Sequence, residues 1–157
     1  MQKVNKARGC TAKIGVALIA LLGFCSFLRY LSPGNRFSRS YAQLRVSMTQ
    51  AEVKQTFDRE PDYICGYKNM QVLYWVRDRH ELERFANTLP SRLEKVDDLP
   101  DIYSAAQILV GPDGLVAAFT WNGESMWIQS TIGERHGPNL TVLPETFWKE
   151  LEGIETE

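Results

Sequence analysis

The feature that most constrains this chain is a run of 15 uncharged, mainly apolar residues, 14–28, bounded by Lys13 and Arg29. As a helix this run is about 23 Å long, and extension to Leu31 gives about 27 Å, close to the roughly 30 Å hydrocarbon core of a bilayer. Lys13 and Arg29 can extend their charged ends to the headgroups, and Tyr30 suits the interface. A buried core helix is the weaker interpretation because the run has no polar face. We therefore predict that residues 1–31 form a membrane anchor. Its assigned residues include Ile14, Leu18, Leu22, Phe24, Phe27 and Leu28.

Two processing events are alternatives to a retained anchor. Cleavage of a signal peptide needs small residues near the cleavage site, and the best match, Ser40-Tyr41-Ala42, lies far beyond the apolar run. Lipidation at Cys25 needs a small residue before the cysteine, and Phe24 is large. The sequence favours a retained anchor over both.

Charge divides the chain into two parts. All seven charged residues through Ala42 are basic, whereas the chain from Gln43 onward carries 11 basic and 19 acidic residues, a formal charge of −8. The basic part suits anionic lipid headgroups, and the acidic part argues against a nucleic-acid partner. Four basic residues precede the apolar run and three follow it, which favours a cytoplasmic N-terminus. We predict a single-pass protein whose soluble domain lies outside the cytoplasm, on the periplasmic side in a Gram-negative cell.

The composition of residues 32–42 shifts toward Ser, Pro, Gly, Asn and Arg, which predicts a linker. Residues 43–157 then form one soluble domain of modest core size. Cys65 is the only cysteine of that domain, so an internal disulfide is excluded. The sequence has no Cys/His cluster of zinc spacing, no phosphate-binding loop and no nucleophile-elbow motif. We accordingly expect no metal, no cofactor and no small-molecule substrate.

The clearest local signal in the domain is a helix start. Thr49 is a good N-cap, and Glu52 three residues later completes a capping box, with Met48 and Val53 at the two staple positions. The helix must end before Pro61, because the residue ahead of a proline avoids the helical region.

Strand-like pieces and short helices follow. The predicted strands are 63–67, 71–76, 103–110, 115–121 and 124–130, and the predicted helices are 78–89 and 144–151. Gly111-Pro112-Asp113-Gly114 predicts a turn and Asn122-Gly123 a hairpin, whereas 91–101 is predicted as a loop. The fold class is therefore α+β, with an antiparallel sheet of three to four strands covered by short helices.

Residues 44–53, Leu-Arg-Val-Ser-Met-Thr-Gln-Ala-Glu-Val, followed by Phe57 and a Pro-Asp pair, resemble the opening signature of the BamE-like (SmpA/OmlA) domain family. In that family a G-M-T turn leads into a T-x-x-x-V helix, and a G-x-P-D turn leads into the sheet. The matching residues are Met48, Thr49, Val53, Pro61 and Asp62. Ser47 stands where the family has glycine, and the glycine that closes the helix is absent. The resemblance implies an α+β fold, a cell-envelope location and a non-catalytic scaffold that binds protein partners.

Few residues carry recognisable chemistry. His80 is predicted at a solvated helix start, and His136 in a polar turn over 133–137. A nucleophile could pair Cys65 with one of these histidines, but a buried, inert thiol is the better interpretation because Cys65 lies in a predicted strand beside Ile64. The acidic residues of 97–101 lack calcium-loop spacing and predict a solvated loop.

The domain is rich in large aromatic rings, most of which we expect in the core. Adjacent residues of a strand face opposite ways, so Tyr74 and Trp75 cannot both point into the core of a one-sided sheet. We therefore predict a partner surface that carries one of these two rings together with Trp121 or Trp127.

The expected function is that of a membrane-anchored, non-catalytic envelope protein whose soluble domain binds another protein. One alternative is an inhibitor or immunity-type domain that uses an acidic or aromatic surface against an enzyme. A second alternative is a small hydrolase that uses Cys65 or His80.

Overall fold

The computed structural model describes residues 5–87, 89–102, 104–121, 127–137 and 139–154. The chain divides into two compact units, Met1–Ser38 and Arg39–Glu157. The boundary lies inside the segment 32–42 that composition marked as a linker. That segment is not irregular, because helix α2, Pro33–Tyr41, occupies most of it.

The first unit consists mainly of helix α1, Asn5–Leu31. The side chains of the predicted anchor are more than half exposed in all described cases: Leu18, Leu22, Phe24, Phe27 and Leu28. The side chain of Ile14 lies outside the described residues. Within the described part of the chain, no helix combines the length and the apolar character needed to cross a membrane.

One mixed sheet forms the centre of the second unit. Its strands are β1 Tyr63–Tyr67, β2 Met70–Val76, β3 Arg92–Leu93, β4 Ala105–Val110, β5 Val116–Trp121, β6 Trp127–Ser130 and β7 Gly133–His136. The described strands follow the order β3-β1-β2-β4-β5-β6-β7, and every pairing is antiparallel except β1 with β3. The α+β class is as predicted, but three to four strands was too few. Six described strands have four residues or more, and β3 adds a two-residue parallel edge.

The missed strands lack a hydrophobic pattern. Residues 133–137 were predicted as a polar turn, yet β7 pairs with β6 along its whole length, from Ser130↔Gly133 to Trp127↔His136. Residues 91–101 were predicted as a loop, yet β3 and a 3-10 turn, Val96–Asp98, lie within them. Main-chain hydrogen bonds to a neighbouring strand define β7 and β3. The side chains of these two strands do not indicate which strand that neighbour is.

The turns between the central strands follow local chemistry. The Gly111 N–H donates to the Leu115 carbonyl at 2.8 Å, and Gly114 takes a positive φ of 77°. The Asp113 carboxylate accepts the Leu115 N–H at 3.0 Å, which fixes the return of the chain. The predicted turn between β4 and β5 is thus confirmed. The Asn122-Gly123 hairpin lies outside the described residues, although the strands on either side of it pair as predicted.

Helix α3, Gln50–Phe57, begins and ends as its sequence dictates. The Thr49 side chain accepts the Glu52 N–H, and the Glu52 carboxylate accepts the Thr49 N–H at 2.8 Å, so the predicted capping box is confirmed. The C-cap Asp58 has a left-handed φ of 53° and ends the helix ahead of Pro61. Helix α4, Arg79–Phe85, forms inside the predicted 78–89 segment, and helix α5, Glu145–Glu152, follows Pro144.

Both faces of the sheet are covered, which contradicts the one-sided sheet assumed from the sequence. One face packs against α5 and the segment before β4, in a core that includes Tyr74, Leu99 and Phe147. The other face carries Trp75, whose ring stacks on Phe57 of α3 with centroids 4.9 Å apart. All six residues of β4 and all six of β5 are buried. The sequences of such strands are mainly apolar and do not alternate with polar residues, because neither face of the strand is exposed to water.

Candidate functional site

A cleft that carries charged side chains lies beside α5 in the described part of the second unit. It has a volume of about 400 Å³ and is bounded by the β1–β2 turn, by residues 94–97 and by α5. We call it the α5 cleft. Its lining residues are Tyr67, Lys68, Glu94, Lys95, Val96, Asp97, Thr141, Leu143, Glu145, Trp148, Lys149 and Glu152.

The aromatic part of the α5 cleft is contributed by Tyr67 at the end of β1 and by Trp148 on α5. Their rings meet edge to face, with centroids 5.9 Å apart and planes at 85°. Helix α5 buries Phe147, Trp148 and Leu151, so it is anchored on the core, and the Trp148 ring also lines the cleft. Within the described residues the Trp148 indole N–H has no hydrogen-bond partner. A buried donor without a partner is uncommon in folded proteins.

Ion pairs connect the rim of the α5 cleft to α5. Lys68 Nζ lies 2.5 Å from a Glu152 carboxylate oxygen, and Lys149 Nζ lies 2.8 Å from a Glu145 carboxylate oxygen. The hydrogen bond from Lys68 to Glu152 raises the pKa of Lys68, and the hydrogen bond from Lys149 lowers the pKa of Glu145. These groups face solvent, so the pairs orient side chains and add little to stability. By contrast Glu94, Lys95 and Asp97 make no ion pair with any described residue.

Two phenols, the partly buried Tyr63 and the fully buried Tyr74, hold the wall of the α5 cleft in place. The Tyr63 hydroxyl donates to the Pro90 carbonyl, and the Tyr74 hydroxyl donates to the Pro100 carbonyl at 3.2 Å. Burial raises the pKa of Tyr63 and of Tyr74, so both phenols stay protonated and able to donate. The two hydroxyls thus fix both ends of the segment that carries residues 94–97.

The structure separates the residues that a hydrolase would have used. Cys65 is fully buried in β1, and burial raises the pKa of its thiol. The predicted buried thiol is confirmed. The His80 side chain is 87% exposed in the first turn of α4, and the main-chain N–H of His80 donates to the capping Asp78, so its predicted position is also confirmed. The side chain of His136 lies outside the described residues.

No group of three or more His, Cys, Asp or Glu side chains in the described ranges is arranged to hold a metal ion. Asp97 and Asp98 are exposed and belong to a 3-10 turn, so the acidic segment at this position is solvated as predicted.

The aromatic surface predicted from the central strands is wrong for the first pair of rings. Tyr74 and Trp75 are both fully buried, because helices and loops cover both faces of the sheet. Trp121 is 5% exposed, with its ring 5.3 Å from that of Tyr41. The side chain of Trp127 lies outside the described residues.

Sequence reasoning did not find the α5 cleft. It placed Trp148 on a helix for packing and Tyr67 on a strand, but the residues between 67 and 148 gave no indication that the two rings meet. The acidic residues of 97–101 were predicted to be solvated, and Asp97 and Asp98 are exposed. The position of Asp97 on a cleft wall depends on the tyrosine hydrogen bonds, which the sequence did not predict. Comparison of the chain with models of known protein families, with curated proteins and with solved structures finds no match.

Proposed function

We propose that this chain is a membrane-anchored, non-catalytic cell-envelope protein whose folded domain binds another protein at the α5 cleft. The observation that carries the proposal is the α5 cleft, about 400 Å³ in volume, which the ring of Trp148 lines together with charged side chains. Tryptophan in a pocket is the residue type most often found to dominate a protein interface.

The walls of the α5 cleft suit a protein partner for a second reason. Its lining combines apolar and aromatic side chains, Tyr67, Leu143 and Trp148, with charged ones, and specific protein interfaces combine the same two kinds of residue. Several of these charged side chains already form ion pairs with one another. The rim of the α5 cleft therefore has a defined geometry before a partner binds. The resemblance of residues 44–62 to the BamE-like family supports the same proposal, since that domain is a non-catalytic scaffold.

Affinity purification tests the proposal. The full chain with a tag after Glu157 is recovered from detergent-solubilised membranes, and co-purifying proteins are identified. We expect a partner with the unchanged chain and its loss with the double variant Glu94→Lys/Asp97→Lys, which reverses two exposed charges on the cleft wall. Glu83→Lys, an exposed reversal on α4, is the matched control and should retain the partner. Recovery of the tagged protein alone, or equal recovery with the cleft variant, contradicts the proposal.

The membrane anchor in this proposal is argued from the exposed apolar side chains of α1. Water-exposed apolar side chains in this number are costly, and burial in lipid would remove that cost. We expect the chain to stay in the membrane fraction after extraction with alkaline carbonate. Release into the supernatant would contradict the anchor without bearing on the α5 cleft.

The proposed orientation places the acidic domain outside the cytoplasm. A reporter enzyme that folds only outside the cytoplasm, fused after Glu157, should therefore be active. A fusion that works only with a cytoplasmic reporter would reverse the orientation.

A further inference from the structure

A second, smaller pocket lies where the β1–β2 turn meets β3. Its volume is about 280 Å³, and Gly66 and the buried Met70 contribute to its lining. We call it the turn pocket. The remaining lining residues are exposed and polar or charged: Lys68, Asn69, Gln71, Ser91 and Arg92.

Main-chain pairing fixes the two sides of the turn pocket relative to one another. The Gly66 N–H donates to the Ser91 carbonyl at 2.9 Å, and Gly66 pairs with Arg92 in the parallel ladder between β1 and β3. Lys68 has a left-handed φ of 53° in the tight turn that follows. The pocket is therefore formed by strands and a tight turn, and such rigid elements preorganise a binding site.

The chemistry of the turn pocket differs from that of the rest of the domain. From Gln43 onward the chain has a formal charge of −8, yet no described residue that lines this pocket is acidic. Lys68 and Arg92 contribute positive charge, while Asn69, Gln71 and Ser91 contribute neutral hydrogen-bond donors. Such a set of donors favours an oxyanion.

The net charge of the turn pocket determines which kind of oxyanion it favours. Glu152 already lies 2.5 Å from Lys68 Nζ, so that pair is close to neutral. Arg92 makes no ion pair within the described part of the chain, which leaves about one unbalanced positive charge. One guanidinium matches one carboxylate, which it can bind with two parallel hydrogen bonds, better than it matches a doubly charged phosphate.

The turn pocket and the α5 cleft meet at Lys68, which lines both. A ligand that spans them needs a carboxylate close to an apolar side chain. The last residue of a protein chain carries both groups on one Cα atom. We propose that the turn pocket binds the C-terminal carboxylate of the partner protein, whose last side chain packs against Tyr67 and Trp148. This inference rests on the proposed function, because it specifies which part of a protein partner occupies the α5 cleft.

Binding of matched peptides tests the inference on the full chain in detergent. The probes are two fluorescein-labelled hexapeptide pools with five varied positions and a final Leu or Phe, one pool ending in a free carboxylate and the other in an amide. Fluorescence anisotropy should show that the free-acid pool binds about tenfold tighter, which corresponds to one charge-assisted hydrogen-bonded contact. Arg92→Gln should abolish the difference between the pools. Arg84→Gln, an arginine on α4 that lines neither pocket, should leave it unchanged.

Four results would overturn the inference. The first is equal binding of the acid and amide pools, and the second is an unchanged preference in Arg92→Gln. The third is displacement of the free-acid pool by inorganic phosphate as effectively as by the unlabelled free-acid pool, which would indicate a general anion site. Absence of binding by either pool also overturns it. In each case, co-purification of a partner that is lost in Glu94→Lys/Asp97→Lys would still support the proposed function.

Discussion

The Asp62 carboxylate accepts the Val76 N–H at 2.8 Å, which joins the start of β1 to the end of β2. The same carboxylate is held by Arg59 through two contacts of 3.1 Å each, and Arg59 also donates to the Val76 carbonyl at 2.8 Å. The Asp62 N–H donates to the Tyr74 carbonyl at 2.8 Å. The chain after α3 is thus tied to the strand that β1 must pair with.

Removal of this carboxylate should destabilise the fold. Asp62→Ala leaves the buried Val76 N–H without its acceptor and Arg59 without its carboxylate partner, so we expect a loss of about 2–3 kcal/mol in the free energy of unfolding. Asp62→Asn keeps one oxygen acceptor and should lose less. Urea unfolding of the full chain in detergent measures both. Asp98→Ala, at an exposed aspartate, is the control, and an equal effect there would contradict the role of Asp62.

The burial of Trp75 predicts that this ring is part of the core and not of an interaction surface. Trp75→Ala removes the stacking on Phe57 and the hydrogen bond from its indole to the Arg59 carbonyl at 3.2 Å. We expect a loss of about 3–5 kcal/mol in the free energy of unfolding. Ile64→Ala on β1, where the side chain is 44% exposed, should cost less than about 1 kcal/mol. Similar midpoints for the two variants in a denaturant titration would show that Trp75 is not buried.

Cys65 should resist alkylation in the folded protein. Its side chain is fully buried, and the raised pKa of the thiol lowers the fraction of reactive thiolate at pH 8. Peptide mapping after treatment with iodoacetamide should find Cys65 unmodified under native conditions and modified in urea. Labelling of Cys65 at the same rate in both conditions would contradict the structure at β1.

Alkaline pH should destabilise the domain through Tyr63 and Tyr74. Burial raises the pKa of both phenols above their ordinary value of 10.0, so the folded state retains protons that the unfolded state releases. The free energy of unfolding is therefore unaffected by these groups below about pH 10 and falls as the pH rises above it. Tyr74→Phe should weaken this dependence, at the cost of the hydrogen bond to Pro100.

Absorbance at 295 nm, followed together with circular dichroism, measures this effect. The absorbance change of Tyr74 and of the partly buried Tyr63 should coincide with the loss of structure. Full ionisation of all tyrosines before any loss of structure would contradict their burial.

The caps, turns and helix starts could be predicted from the sequence where they depend on neighbouring residues. The capping box at Thr49, the turn at Asp113-Gly114 and the start of α5 after Pro144 each depend on residues within a few positions of each other, so sequence alone located them. The burial of Cys65 and the exposure of His80 were also predicted, because one lies in an apolar run and the other among charges.

The number of strands and the coverage of both sheet faces could not be predicted from neighbouring residues. The apolar runs at 72–76 and 116–119 do not alternate with polar residues, which is typical of strands buried on both faces. The assumption of a one-sided sheet led instead to the wrong surface for Tyr74 and Trp75. Strand β7 has no apolar pattern, and its existence depends on hydrogen bonds to β6 that any residues can make.

The sequence by itself determined the division of charge, the apolar N-terminal run, the α+β class and the local caps and turns. Only the tertiary structure decided which aromatic rings reach a cleft and which charges remain unpaired beside it. Tyr67 and Trp148 are 81 positions apart, and the sheet order that brings α5 to the β1–β2 turn results from the packing of the whole domain. The position of Lys68 between the α5 cleft and the turn pocket also depends on the packing of the whole domain. Its ion-pair partner, Glu152, lies on the last helix.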